Sequence, residues 1–118
     1  MKEIKGNHLI LDVECVEEEK GKLMDEKLIR NILLDILELI NMNKLIDPIV
    51  VRGSSYNPGL TGVVVMDTSN IVLHTFLDSN KFSLDIFSVK DINVEEVTSY
   101  LRRFFKFNII RKNLIERL

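Results

Sequence analysis

One cysteine, no tryptophan and two histidines leave this chain of 118 residues with few side chains of special chemistry. Cys15 has no partner for an internal disulfide, so a reducing, cytoplasmic setting is expected. The two histidines, the cysteine and the scattered carboxylates show none of the finger or ribbon ligand spacings, and no metal site is predicted. Gly59 and Gly62 are the one close glycine pair, and their spacing fits no phosphate-cradling fingerprint. No apolar run approaches the ~20 residues of a membrane helix. Met1–Gly6 carries no apolar stretch of the signal-peptide kind, and no membrane association is expected. Neither sign of charge dominates: the formal net charge is -2, which gives no reason to expect nucleic-acid binding. The basic residues Arg102, Arg103, Lys106, Arg111 and Lys112 read as a solvated helix face and tail.

What the chain does have is an ordinary globular balance, 46% hydrophobic and 29% charged, at a length that suits one domain over residues 1–118. Domains of this size often enlarge their buried area by self-association. From His8 to Val16, Leu9, Leu11 and Val13 alternate with Ile10, Asp12 and Glu14, which predicts a strand. Glu17–Lys20 reads as a charged loop ending at Gly21. From Asp25 to about Met42 the period changes. Leu28, Ile29, Ile32, Leu33, Ile36, Leu37 and Ile40 recur at three and four, the stripe of a helix that covers a sheet, with Asp25 as N-cap.

Ile46–Val51 reads as a strand with Pro48 near its start. Arg52–Gly59 is the richest stretch of turn residues, a polar loop between two apolar runs and so a place for function. Gly62–Met66 and Ile71–Leu77 are β-type runs on either side of Asp67-Thr68-Ser69-Asn70, which predicts a hairpin with Ser69 at or beside its turn. After a second turn over Asp78–Lys81, Phe82–Val89 alternates again. Asn93-Val94-Glu95-Glu96 has capping-box spacing and opens a helix running to about Phe105. Phe107–Arg111 reads as a last short strand and Asn113–Leu118 as a tail. The order β–α–β–β–β–β–α–β predicts an α+β two-layer sandwich, a mainly antiparallel sheet with two helices packed on one face.

Alternation after Ser69 puts Val72, His74, Phe76 and Asp78 on one side of a strand, with Ile71, Leu73, Thr75 and Leu77 on the other. An imidazole, an aromatic ring and a carboxylate thus follow a serine in a turn. Pattern alone favours His74 as a hydrogen-bonded structural histidine and Asp78 as a turn residue. A Ser–His–Asp hydrolase built from Ser69, His74 and Asp85 lacks the strand–turn–helix nucleophile motif.

The stretch Thr61-Gly62-Val63-Val64-Val65-Met66-Asp67-Thr68-Ser69-Asn70-Ile71-Val72-Leu73-His74-Thr75-Phe76-Leu77-Asp78 resembles the processing site of bacterial and archaeal S-adenosylmethionine decarboxylases. That family has a small residue before Gly-Val-Val-Val, then Glu-Ser-His at the cleavage site, then an apolar stretch and His-Thr-Trp-Pro-Glu. Two further matches keep the same order. Gly6-Asn7-His8-Leu9-Ile10-Leu11-Asp12 is similar to the family's Gly-x-His-Leu-x-x-Asp, and Asp85-Ile86-Phe87-Ser88-Val89 to its Asp-Val-Phe-Thr-Cys. The resemblance runs from about residue 6 to residue 111.

The resemblance implies a self-processing proenzyme. A serine hydroxyl attacks the carbonyl before it and the amide becomes an ester. Loss of the serine α-proton and then of ammonia leaves a pyruvoyl group. Ser69 is then that serine, cleavage falls between Thr68 and Ser69, His74 is the base, and Thr61 stands where a second hydroxyl assists. The pyruvoyl cofactor takes up the amine of a small-molecule substrate and draws off electrons as carbon dioxide leaves. The family pattern also implies Tyr56, Phe76 and Asp78 on the substrate side, Tyr56 stacking on an adenine. It implies S-adenosylmethionine as substrate for spermidine synthesis, and a homodimer in which the two sheets associate and both chains contribute to each site.

Departures from the pattern are specific. Thr68 stands for glutamate, Asn70 for histidine, Phe76 for tryptophan, Asp78 for glutamate, and Val89 for the cysteine that donates a proton after decarboxylation. Valine has no proton to give, and Ser88 points to the opposite face of a regular strand. These departures keep two alternatives open: a pyruvoyl decarboxylase of another amino acid, such as arginine or ornithine, and a non-catalytic relative acting as a binding or regulatory subunit.

Overall fold

Where apolar residues alternate this chain extends, and where they recur at three and four it coils. The computed structural model describes residues 4–118. It has β1 (Gly6–Cys15), α1 (Glu26–Leu39), β2 (Ile49–Arg52), β3 (Leu60–Met66), β4 (Ser69–Phe76), β5 (Lys81–Ser88), α2 (Val94–Leu101) and β6 (Phe107–Arg117). The strands form one sheet in the order β2-β3-β4-β5-β1-β6, every neighbouring pair antiparallel. Both helices carry their apolar stripe and pack on the same face, so the predicted α+β sandwich is the fold observed. Among the described residues no helix is long and apolar enough to cross a membrane, and no cluster of three or more His, Cys, Asp or Glu side chains is arranged to hold a metal.

Local signals set the helix starts. The Asp25 carboxylate accepts from the Leu28 N–H at 3.1 Å, and the Asn93 side chain accepts from the Glu96 N–H at 3.0 Å. The stripe Ile29, Ile32, Leu33, Ile36 and Leu37 is buried against the sheet. Gly62 lets α1 come close: a Cβ there would lie 2.7 Å from Leu33 Cδ1. Beneath α2, Phe82 meets the rings of Phe105 and Phe107 at 5.3 and 5.9 Å between centroids. Cys15 is buried beside them as a small apolar residue, its thiol pushed up to about 11 by burial and by the nearby Glu19 carboxylate.

The structure corrects several boundaries. Glu17–Met24 is a 3-10 helix rather than a loop, anchored by fully buried Leu23 and by the ion pair of Lys22 with Glu19 at 2.8 Å. Strand β2 begins at Ile49, after Pro48, which has no N–H to give a ladder. Helix α2 ends at Leu101, and the chain folds back over residues 102–105. Asp78 lies in the turn beyond β4 and does not share the face of His74. The expected tail is the far half of β6, which pairs with β1 as far as Arg117 opposite Gly6, with a bulge at Asp12/Val13. Its run of polar residues is what an edge strand carries.

Thr75 ties three elements together inside this packing. Its hydroxyl donates to the Leu23 carbonyl at 2.8 Å and accepts from the Leu60 N–H at 2.8 Å, and the side chain is buried. Thr75→Val is nearly isosteric but orphans both backbone groups. It is expected to cost about 3 kcal/mol, read as a lower midpoint in urea denaturation. An unchanged midpoint would mean that water replaces the hydroxyl at no cost.

Candidate active site

The residues singled out by sequence fall into two groups at opposite ends of β4. At its head, β3 and β4 join through the turn Asp67–Thr68, with Met66 paired to Ser69. Ser69 is the first residue of β4 and its side chain is buried on the helix-covered face. Its Oγ accepts from the Val89 N–H at 3.1 Å. The backbone at position 89 thus holds the serine hydroxyl, whatever side chain stands there. A cavity of about 360 Å³ opens beside the turn, lined by Thr68, Asp67, Val89 and Lys90 and by the chain leaving α1. Lys90 crosses to that segment and donates to the Asn41 carbonyl at 2.6 Å. Ser88 is fully buried on the helix face, the face that also carries Ser69, and accepts from the Lys90 N–H at 2.9 Å.

At the far end of β4, His74 faces the other side of the sheet. It pairs in register with Thr61, and Thr61 Oγ1 lies 2.9 Å from His74 Nδ1. Phe76 stands on the same face, half exposed. The loop after β2 closes over this end. The Gly53 N–H donates to the Gly59 carbonyl at 2.8 Å, and the Leu77 N–H to the Pro58 carbonyl at 3.1 Å. Gly59 passes so close to β4 that a Cβ on it would lie 2.0 Å from the Thr75 carbonyl oxygen. A second cavity, about 480 Å³, lies between this loop and Thr61, His74 and Phe76. Tyr56 projects from the loop and is 90% exposed.

Within one protomer these groups do not meet. Five residues of extended chain separate Ser69 from His74, roughly 17 Å, and the odd spacing puts them on opposite faces. Asp85 is engaged elsewhere: its Oδ1 lies 3.2 Å from His8 Nε2 on the open face. No Ser69–His74–Asp85 triad is therefore assembled in a single chain. The pairing of His8 with Asp85 is not among the sequence-based expectations, although the alternation in β1 and β5 already sets both on the uncovered face.

Known proteins resemble this chain in sequence and in fold. The family model described as S-adenosylmethionine decarboxylase matches residues 7–118. An S-adenosylmethionine decarboxylase proenzyme of Archaeoglobus fulgidus is 29% identical over 119 residues, covering 97% of this chain and 98% of its own length. An arginine decarboxylase proenzyme of Hyperthermus butylicus is 28% identical over 85 residues, 72% of this chain and 58% of the relative. The crystal structure of the adenosylmethionine decarboxylase from Aquifex aeolicus superposes with a TM-score of 0.70 at 19% identity, over 98% of this chain and 91% of that one. A family model that spans nearly the whole chain settles its kinship: the chain belongs to the S-adenosylmethionine decarboxylase family.

Proposed function

We propose that this chain is a self-processing decarboxylase of S-adenosylmethionine that works as a homodimer and supplies aminopropyl groups for spermidine. The observation that carries this reading is the placement of Ser69: first residue after a tight turn, buried, its hydroxyl held by the Val89 N–H, with a cavity alongside. Those features fit a pyruvoyl group made at this position. When present, that group supplies a carbonyl that takes up an amine and serves as electron sink while carbon dioxide departs.

The chain's own residues account for making it. Ser69 Oγ bonds to the Thr68 carbonyl carbon, the C–N bond breaks, and the hydroxyl proton passes to the nitrogen. A base then removes the Ser69 α-proton and the ester is eliminated, releasing the Thr68 carboxylate. Water hydrolyses the remaining enamine, as its imine tautomer, to release ammonia. The base is His74, and the separation along β4 requires that it come from a second copy. A two-fold axis across the open face brings the head of one β4 over the far end of the other, so that the imidazole of one copy meets Ser69 of the other at its main chain, from the face opposite the hydroxyl. That face supports the assembly. Ile49, Val51 and Phe76 are 50%, 50% and 45% exposed on it, an apolar surface in need of cover. Tyr56, free in one protomer, is then available to the partner's cavity and its substrate, with Phe76 and Asp78 near the same end.

His74 acts as a base at Nε2 in the tautomer whose Nδ1–H donates to Thr61 Oγ1. Thr61 is the positioning residue for that ring. A second reading, a pyruvoyl decarboxylase of another amino acid, is favoured by the arginine decarboxylase proenzyme among the relatives. Carbon dioxide release from labelled S-adenosylmethionine against labelled arginine separates the two.

Three outcomes are expected. Intact mass under denaturing conditions should give fragments spanning residues 1–68 and 69–118, the second blocked at its start, and Ser69→Ala should leave one chain of 13.7 kDa. A wild type that stays whole under every condition would favour the non-catalytic reading. Ser69→Ala and His74→Ala chains should each stay uncleaved alone, while their mixture cleaves about half of the His74→Ala chains. Cleavage of His74→Ala by itself would refute the shared site. Thr61→Val should turn a single His74 tautomer in nitrogen NMR into a mixture and slow cleavage by ~10-fold; an unmoved His74 spectrum would remove Thr61 from the mechanism.

A further inference from the structure

Positive φ outside glycine falls on four of the described residues: Asn41, Asn80, the chain-terminal Leu118, and Thr68 at φ 53°. Asparagine tolerates the left-handed region, and Leu118 is 83% exposed and belongs to no strand or helix. Thr68 is the exception. It is β-branched, and such a residue is strained there. It is also the residue whose carbonyl lies on the acyl side of the Thr68–Ser69 bond.

Both shoulders of the turn are fixed, which is what such a conformation needs in order to persist. Met66 is 2% exposed and bridges to Lys44, and Leu45 N–H donates to the Val65 carbonyl at 2.8 Å. On the other side Ser69 is buried and held by the Val89 N–H. Thr68 is pinned between them, its own hydroxyl turned back to the Asp67 carbonyl at 2.7 Å.

We propose that Thr68 is a positioning residue for self-cleavage: the turn forces it left-handed, and the strain it carries is released as Ser69 displaces the peptide bond. The proposal rests on the processing reading above. In the first step an Oγ–C bond forms, the C–N bond breaks, and the hydroxyl proton moves to the nitrogen. The path between the two α-carbons lengthens from C–N to C–O–Cβ, and the planar amide that held the turn is gone. The two-residue turn thus gains slack at the moment of reaction.

The test uses variants that change backbone preference without changing the reacting atoms. Thr68→Asn accepts the left-handed region, so it should cleave about tenfold more slowly than wild type in a time course of intact mass. In the uncleavable Ser69→Ala background the same change should raise the melting temperature by about 3 °C. A merely structural role would move both readings the other way or only one of them. Thr68→Val keeps the β-branch and loses the hydroxyl, and should cleave at the wild-type rate or faster. If Thr68→Asn cleaves as fast as a cleaving wild type, or fails to stabilise the Ser69→Ala chain, the strain is not used and the proposal falls alone. If Thr68→Val slows as Thr68→Asn does, the hydroxyl rather than the backbone carries the effect and the proposal falls. A wild type that never cleaves removes the processing reading and this inference together.

Discussion

Successive side chains on a strand point to opposite faces, and in β4 this rule divides the chemistry from itself. Ser69, Ile71, Leu73 and Thr75 turn toward the helices, while Asn70, Val72, His74 and Phe76 turn away. A slip of one residue would expose the leucine and isoleucine and bury the histidine, so the register is strongly specified. Thr75 fixes it chemically, through its two buried hydrogen bonds, and Gly62 fixes it sterically, by letting α1 rest directly on β3. The serine and the histidine are therefore both firmly placed, and firmly apart.

The uncovered face carries the other consequence of that division. It combines aliphatic residues at the β2 edge with the His8–Asp85 pair nearer the middle. A surface of this kind is costly to leave in water and is too varied to be a generic core. In the homodimer we propose, recognition across it would have both an apolar driving force and fixed polar landmarks to orient one copy on the other.

Much of this was legible in the residues. The amphipathic stripe from Leu28 to Ile40, the caps at Asp25 and Asn93, and the alternation in β1 and β5 each report a local rule that packing obeyed. The hairpin around Ser69 was visible because β-branched runs flank a polar tetrapeptide. The far half of β6 was not, because a ladder to β1 is made by backbone groups, and an edge strand has reason to look polar. Nor did the sequence reveal that Glu17–Met24 coils, since three glutamates in a row hide one buried leucine. At the site, alternation gave the face of His74 and its neighbours, while the partner of Ser69 Oγ is a backbone N–H, which no side-chain pattern encodes.

The strand order has a bearing on what a cut protein would be. Strands β1, β2 and β3 precede the Thr68–Ser69 bond, and β4, β5 and β6 follow it. In the sheet, however, β1 lies between β5 and β6, and β4 lies between β3 and β5. The two pieces would be interleaved like the fingers of clasped hands, sharing three strand-to-strand seams and one core. Neither could leave without tearing the sheet. A nicked molecule would therefore run as one particle in native solution and separate into two only on unfolding, and a fragment made alone would have half a sheet with no partner to complete it.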